Sequence, residues 1–391
     1  MSIYAELKMK FTKHFGDSKQ PVSIFFAPGR VNLIGEYTDF NGGYVFPAAV
    51  SLGIWGLLRR RTDGIIQLHS DNAGSGAVID LNQTLVCRQE DGWTNYPKGV
   101  IQYLVDQGLR LQGCDVFFSG NLPTGAGLSS SAALLILTAY MLQTTFGNSG
   151  VDRVAMAQLC RKVENEFIGV NCGIMDHFAI AMGHKHHAML LDCNTLTHEY
   201  IPLSLDNHSL VIMNTNKKRE LTDSKYNERR QECDQALAII RKHRDIEHLC
   251  QATMAEVEGL LEQPVLRKRA RHVVSENQRV IDAVALLRAG EVSAFGGLMI
   301  ASHRSLQTDF EVSGLELDVL VEHALQVPGC IGARMTGAGF GGCAIALVEN
   351  QALDKFMQQV RLGYQAVTGR IADFYPAIVA DGVEKGAIHE G

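Results

Sequence analysis

Three short segments gather the residue types that chemistry requires. Residues 123–133, PTGAGLSSSAA, place two glycines and three serines ahead of an apolar run. Glycine lets a backbone approach a ligand closely, and the start of a following helix offers unpaired N–H groups and the positive end of its dipole. Gly125, Ala126, Gly127, Leu128, Ser129, Ser130 and Ser131 thus form a candidate cradle for a di- or triphosphate. The serine hydroxyls could reach a phosphate or a hard cation such as Mg2+. The pattern GxxxxGK[ST] occurs nowhere, so this is not a Walker A loop. A plain glycine turn with a serine N-cap is the alternative. Residues 28–43, PGRVNLIGEYTDFNGG, set the cation Arg30 and the carboxylates Glu36 and Asp39, with Asn41, in a turn-rich stretch. Such acceptors suit a polyhydroxylated ligand, because each can accept from vicinal hydroxyls. A solvated surface loop is the alternative there. Residues 336–342, TGAGFGG, satisfy GxGxxG, but the CAIALV that follows reads as a strand where a dinucleotide site needs a helix. What survives is a close backbone approach, to a ligand or to the other glycine loop.

The elements that must position these segments follow from periodicity. Ile3, Leu7, Phe11 and Phe15 predict an opening amphipathic helix, and residues 22–27 a strand. Residues 51–70 read as a β-hairpin turning at Asp63 and Gly64. A strand at 116–119 leads into the phosphate-type loop, and 132–146 is long enough and free enough of Pro and Gly to be a buried helix. Helical patterning covers 151–168, and 189–192 and 210–213 look like strands. Beyond residue 200 the chain is more helical, at 223–243, 252–262 and 265–288. Ser313 with Glu316 makes a capping-box pattern ahead of Leu317, Leu320, Val321 and Leu325. A strand within 337–348, a helix at 352–362 and a strand at 374–379 complete the chain. Mixed elements without regular βαβ alternation predict an α+β fold, with lobes at 1–200 and 201–391.

Composition narrows the class. A chain of 391 residues exceeds one ordinary core, and 46% hydrophobic residues with 9 prolines exclude a mainly disordered one. The net charge of -6 argues against a nucleic-acid partner. No apolar stretch reaches 18 residues, which argues against a membrane span. Glu6, Lys8, Lys10 and Lys13 leave no signal-peptide core. Nine cysteines without a CxxC pair read as reduced thiols, so a cytoplasmic location is expected. The basic run 267–271 reads as a solvated or salt-bridged face, and His184, His186 and His187 as a solvated hairpin rather than a metal cluster.

Taken in order, the three segments resemble those of the GHMP small-molecule kinases, and within them the galactokinases. GRVNLIGEYTDFNGG, PTGAGLSSSAA and RMTGAGFGGC match the three family motifs. Between them lie WTNYPKG (93–99), VENEFIGVNCGIMDH (163–177), DSKYNERR (223–230), RARHVVSEN (269–277) and SHRSLQTDFEVSGLELD (302–318). The similarity runs from about residue 25 to 380. The resemblance implies a two-lobed fold with the active site in the cleft between the lobes. It also implies ATP- and Mg2+-dependent phosphorylation of the C1 hydroxyl of D-galactose, by a monomer or weak homo-oligomer with no membrane or nucleic-acid partner. On matching positions, Asp176 would take the proton from that hydroxyl, with Arg30 beside it. A guanidinium lowers an Asp pKa by roughly 1–3 units, so Asp176 would be a weak base. Ser131 and Glu164 would hold Mg2+, and the loop 125–131 the phosphates. Glu36, Tyr37, Asp39, Gly173, Asp176 and Tyr226 would line the sugar site, Asp39 at the C3 and C4 hydroxyls and Glu36 and Tyr37 toward C6. Trp93 and Tyr96 would flank adenine, or else belong to the core.

Two departures from the family pattern matter. Its signature usually reads GEHTDY, whereas this chain carries Tyr37 and Phe40. A phenol adds length and bulk at the C6 side, so altered tolerance there is expected. GIMDQ is GIMDH here, which sets His177 beside the base as a packing residue or as a group tuning Asp176. Two alternatives follow: a galactose- and ATP-responsive sensor, or a kinase for a related sugar such as L-arabinose or N-acetylgalactosamine. The Ser131–Ala132 pair, which a sensor of this kind lacks, favours the enzyme.

Overall fold

The structure is a computed structural model, and it describes residues 2–123, 125, 127–205, 207–217 and 222–386. Ser2 caps the opening helix Ile3–Phe15 through its hydroxyl, and Gly16 ends it at φ 73°. Leu7 and Phe11 bury this helix against Ile24, Leu57 and Phe117. The first sheet runs, in space, Glu384–Lys385, Val22–Asn32, Pro47–Arg60, Cys114–Gly120, Ile65–Ser70 and Ser75–Asp80.

The expected hairpin over 51–70 does not form. Cys114–Gly120 lies between its two arms, antiparallel to Pro47–Arg60 and parallel to Ile65–Ser70. Gly113 wedges the turn open: its N–H donates to the Asp63 carbonyl and its carbonyl accepts from the Arg61 N–H, both at 2.8 Å. A Cβ at Gly113 would stand 2.3 Å from the Asp63 carbonyl oxygen, so only glycine enters there. Arg59 and Arg61 then both reach Asp115 on the inserted strand.

Helix Ser130–Phe146 is apolar on every side and correspondingly buried, with Leu135, Ile136 and Leu137 wholly inside. It packs on the first sheet and is flanked by helices Asn95–Asp106, Arg153–Lys162 and Met175–Met182. A small sheet of Tyr44–Val45, His187–Asp192 and His198–Pro202 lies alongside. The second large sheet is antiparallel throughout, in the order Cys330–Thr336, Cys343–Glu349, His208–Asn214 and Asp373–Ala377. Helices Val292–Ser305 and Leu315–Gln326 pack on it, with Pro264–Arg288 and Leu353–Thr368 beside them. Ser313 is not the cap of Leu315–Gln326. Gly314 holds that position at φ 78° without a side-chain cap, and Glu316 is drawn instead to Lys217 at 2.7 Å.

Val31, Leu33, Ile34 and Phe46 share one buried cluster with Val280, Phe295, Ile345 and Leu347, so the two large sheets rest on a common seam. The basic run is ion-paired: Arg269 meets Glu232 and Glu311, and Arg271 meets Glu258 and Asp309. His184 and His187 close an exposed tight turn, their Nδ1 atoms 2.9 Å apart. All nine cysteines are free. Among the described residues, no helix is long and apolar enough to cross a membrane.

Candidate active site

Strand Val22–Asn32 delivers Arg30 to the floor of a cleft, and the first turn of helix Met175–Met182 delivers Asp176 to meet it. The guanidinium grips the carboxylate with both prongs, Nε to Oδ1 at 2.7 Å and Nη2 to Oδ2 at 2.9 Å. Its third nitrogen, Nη1, donates to the Gly127 carbonyl at 2.8 Å. Gly29 lets the strand lie against the loop, since a Cβ there would stand 2.9 Å from the Leu128 carbonyl oxygen. Ser129 occupies the N-cap position of Ser130–Phe146 in the left-handed conformation, φ 62°, and does not cap it. Its hydroxyl donates to Asp176 Oδ2 instead. Burial alone would raise the Asp176 carboxyl, but the charge and hydrogen bonds of Arg30, then Ser129 and His177, outweigh it and hold the group below the usual range.

Glu164 lies in the first turn of the π-helical segment Val163–Ile168, a local widening that follows Arg153–Lys162 and sets the carboxylate beside Ser131. Burial pushes its pKa up, but contacts with His177 and Ser131 more than compensate, so it too is lowered. A hydroxyl and an ionised carboxylate side by side are hard oxygen donors that fit Mg2+. In the preceding loop Gly125 and Gly127 take φ of 72° and 74°, and no atom lies within 4 Å of a Cβ built on Gly125. Ala126 lies outside the described residues. Trp93 is not among the residues lining the cavity; its indole N–H donates to Ser75 at 3.1 Å and its ring meets Phe118 edge-on. Tyr96 packs against the same core.

The other end of the cavity, about 230 Å³ in volume, is walled by Glu36, Tyr37, Asp39, Gly173 and Tyr226. Asp39 presses on Gly173, where a Cβ would stand 1.5 Å from Asp39 Oδ2. Burial, and then the nearby Asp176 carboxylate, raise the Asp39 pKa to about 6. Tyr37 sits at φ 67° with its ring on Phe310 and Tyr226, centroids 4.5 and 5.5 Å away. Its hydroxyl donates to the Ala338 carbonyl at 2.6 Å.

Residues 9–60 match the galactokinase galactose-binding signature, 95–184 the GHMP kinases N terminal domain, and 283–365 the GHMP kinases C terminal domain. A galactokinase of Clostridium tetani is 48% identical over 380 residues, covering 96% of each chain. The chain belongs to the galactokinase family. A galactokinase of Enterococcus faecalis is likewise 48% identical over 384 residues, 97% of this chain and 98% of its own. The crystal structure of Lactococcus lactis galactokinase complexed with galactose matches with a TM-score of 0.94 at 45% identity, over 98% of this chain and all of that one. The Methanococcus jannaschii mevalonate kinase, at 20% identity, TM-score 0.67 and 93% coverage of this chain, shares the fold alone.

In this galactokinase-family chain the glycine-rich motif 336–342 makes its close approach to the Glu36 loop. The Gly337 N–H donates to Glu36 Oε1 at 2.6 Å, the Asn32 amide donates to Oε2, and Arg334 stands 3.5 Å off. Burial raises the Glu36 carboxyl despite these partners. Behind it, Glu276 accepts from the Gly35 N–H at 2.9 Å and the Ser302 hydroxyl at 2.6 Å, while His272 Nε2 lies 3.1 Å from the Glu36 carbonyl. Asn32, His272, Glu276, Ser302 and Arg334 had no role in the sequence reading. Their signal lay in the motif blocks 29–43, 269–277, 302–318 and 334–343, which matched the family without saying what each residue touches.

Proposed function

We propose that this chain transfers the γ-phosphoryl group of ATP to the C1 hydroxyl of D-galactose, giving galactose 1-phosphate and ADP. The observation that carries the reading is a single cavity shared by the Arg30–Asp176 pair, Ser131 and Glu164, and the carboxylates Glu36 and Asp39. Arg30 keeps Asp176 ionised, so Asp176 accepts the C1 hydroxyl proton as that oxygen bonds to the γ-phosphorus and the bond to the ADP oxygen breaks. A base this weak leaves most of the rate to positioning and charge neutralisation. The backbone of the loop 125–131 cradles the phosphates. Ser131 and Glu164 would hold Mg2+, which when bound neutralises phosphate charge. Asp39 accepts from the vicinal C3 and C4 hydroxyls, and Tyr37 with Glu36 closes the C6 end.

The test is ADP release with ATP and Mg2+ over galactose, 6-deoxygalactose, L-arabinose, N-acetylgalactosamine and glucose. Galactose turnover is expected, falling by roughly 10²–10⁴-fold in Asp176→Asn. Bound galactose with no turnover of any sugar would overturn the kinase in favour of a sensor, and faster turnover of L-arabinose would overturn the substrate.

A further inference from the structure

Beside the nucleotide end of the cavity, Glu164, Cys172 and His177 bring a carboxylate oxygen, a sulfur and an imidazole nitrogen within 4.8 Å of one another. His177 Nε2 lies 2.9 Å from Glu164 Oε2, and Cys172 Sγ 3.3 Å from the same oxygen. The His177 ring is wholly buried; its Nε2 faces the Glu164 carboxylate, and its Nδ1 finds no hydrogen-bond partner. A buried ring nitrogen left without a partner costs about 1–3 kcal/mol and calls for an explanation.

The donor set supplies one. Mg2+ binds oxygen ligands in near-octahedral geometry and has little use for sulfur or imidazole. Zn2+ takes Cys, His and Glu together in a tetrahedron, at about 2.0–2.3 Å from each, which spaces neighbouring donors by roughly 3.3–3.6 Å. The observed 2.9 and 3.3 Å contacts fall short of that spacing by a few tenths of an ångström. Where the family pattern has glutamine, position 177 offers a nitrogen ligand. Zn2+ also outranks Mg2+ at sites that include nitrogen and sulfur donors.

We propose that Glu164, Cys172 and His177 form a zinc site overlapping the magnesium position, so that Zn2+ inhibits the enzyme by occupying Glu164. Binding forms three metal–ligand bonds and releases the Cys172 thiol proton to solvent, with no change of oxidation state. Glu164 and Cys172 line the cavity, from which a fourth ligand would come. Zinc binding stands independently of the proposed kinase activity, whereas inhibition rests on it.

The experiment uses the full chain, as wild type, His177→Gln, Cys172→Ser and, as a control for surface thiols, Cys87→Ser. Zinc uptake is measured by equilibrium dialysis without nucleotide, and Co2+ is added separately to read the thiolate-to-metal absorption band. Wild type and Cys87→Ser should bind one more equivalent of zinc than the two ligand variants and should alone develop the full cobalt band. At fixed ATP and Mg2+, the half-inhibiting zinc concentration, taken against each protein's own zinc-free rate, should rise roughly tenfold or more in His177→Gln. Equal stoichiometry and equal cobalt spectra in wild type and His177→Gln would overturn the site. Reduced zinc uptake with unchanged inhibition would overturn its overlap with magnesium. If Cys172→Ser fails to fold, the cobalt spectrum of His177→Gln decides alone.

Discussion

Asp39 is held where a carboxylate is electrostatically costly, and replacing it by asparagine should separate stability from sugar recognition. Burial and the neighbouring Asp176 raise its pKa from the ordinary 3.8 to about 6. At about 1.36 kcal/mol per pKa unit, ionising it in the folded chain costs at most roughly 3 kcal/mol. Between pH 3.8 and 6 the folded state holds a proton that the unfolded state has lost, so stability falls as pH rises through that window and the full cost is present above it. The asparagine has no charge to bury. Asp39→Asn should therefore melt at a higher temperature than wild type at pH 8, with the advantage fading as pH falls from about 6 toward 3.8. On the proposed role of Asp39 the same change removes a charged acceptor for two sugar hydroxyls, worth about 1.5–3 kcal/mol, so kcat/KM for galactose should fall by roughly 10–150-fold. Thermal melts from pH 4.5 to 8 without sugar, paired with ADP release at pH 8, read both effects. A stability gap that stayed constant or widened on acidification would refute the electrostatic argument; unchanged galactose kinetics would refute the role given to the carboxylate.

Two further outcomes follow from the walls of the same cavity. Gly173→Ala places a methyl group 1.5 Å from Asp39 Oδ2 and 2.3 Å from its Cγ, so the carboxylate must swing away. KM for galactose should rise roughly tenfold, equivalent to about 1.4 kcal/mol of lost binding, and an unchanged KM would show that the carboxylate position does not hold the sugar. At Tyr37 the hydroxyl donates to the Ala338 carbonyl, so the ring is the part that shapes the C6 end. Tyr37→Phe should leave the ratio of 6-deoxygalactose to galactose turnover unchanged, while Tyr37→His should shift it toward galactose; identical ratios in wild type and Tyr37→His would remove the argument.

The sequence made the chemistry of the cleft more legible than its walls. Ser131 stands in a glycine-rich loop that reads as a phosphate site and Arg30 in a segment that reads as a polyol site, whereas the roles of Glu164 and Asp176 came only through the family resemblance; the fold brings all four to one cavity. The α+β class was legible from element order. The hairpin over 51–70 was not, because what opens it is a strand some fifty residues further on, admitted by Gly113 and held by Asp115. The capping pattern at Ser313 misled for the same kind of reason: Glu316 has a better partner in Lys217, 99 residues away. Ser129, read as a phosphate or cap residue, turns its hydroxyl to Asp176 because its left-handed backbone carries it off the helix axis. Local spacing states which groups are available, and long-range packing decides which one each meets.

That distinction divides the cavity itself. The phosphoryl end is built within residues 30–176, from Arg30, Gly127, Ser129, Ser131, Glu164 and Asp176, on one sheet and the helices packed against it. The sugar end leans on the seam instead: Glu36 on Gly337, Tyr37 on Ala338, and Gly35 on Glu276. Burial would raise the Glu276 carboxyl, but Arg279 and Arg334 outweigh it and hold it down to about 2, so it stays ionised and accepts from the Gly35 N–H across the working pH range. Burial in turn lowers His272 to about 4, which keeps its ring neutral beside the Glu36 carbonyl. Buried charges that satisfy one another fail together when one is removed, because each partner left behind bears the full cost of desolvation. A change in these seam residues therefore touches the partners of Glu36 and Tyr37 directly, whereas the Arg30–Asp176 pair holds itself through Gly127 and Ser129. On the proposed roles, damage to the seam should raise KM for the sugar, and damage to the Arg30–Asp176 pair should lower kcat.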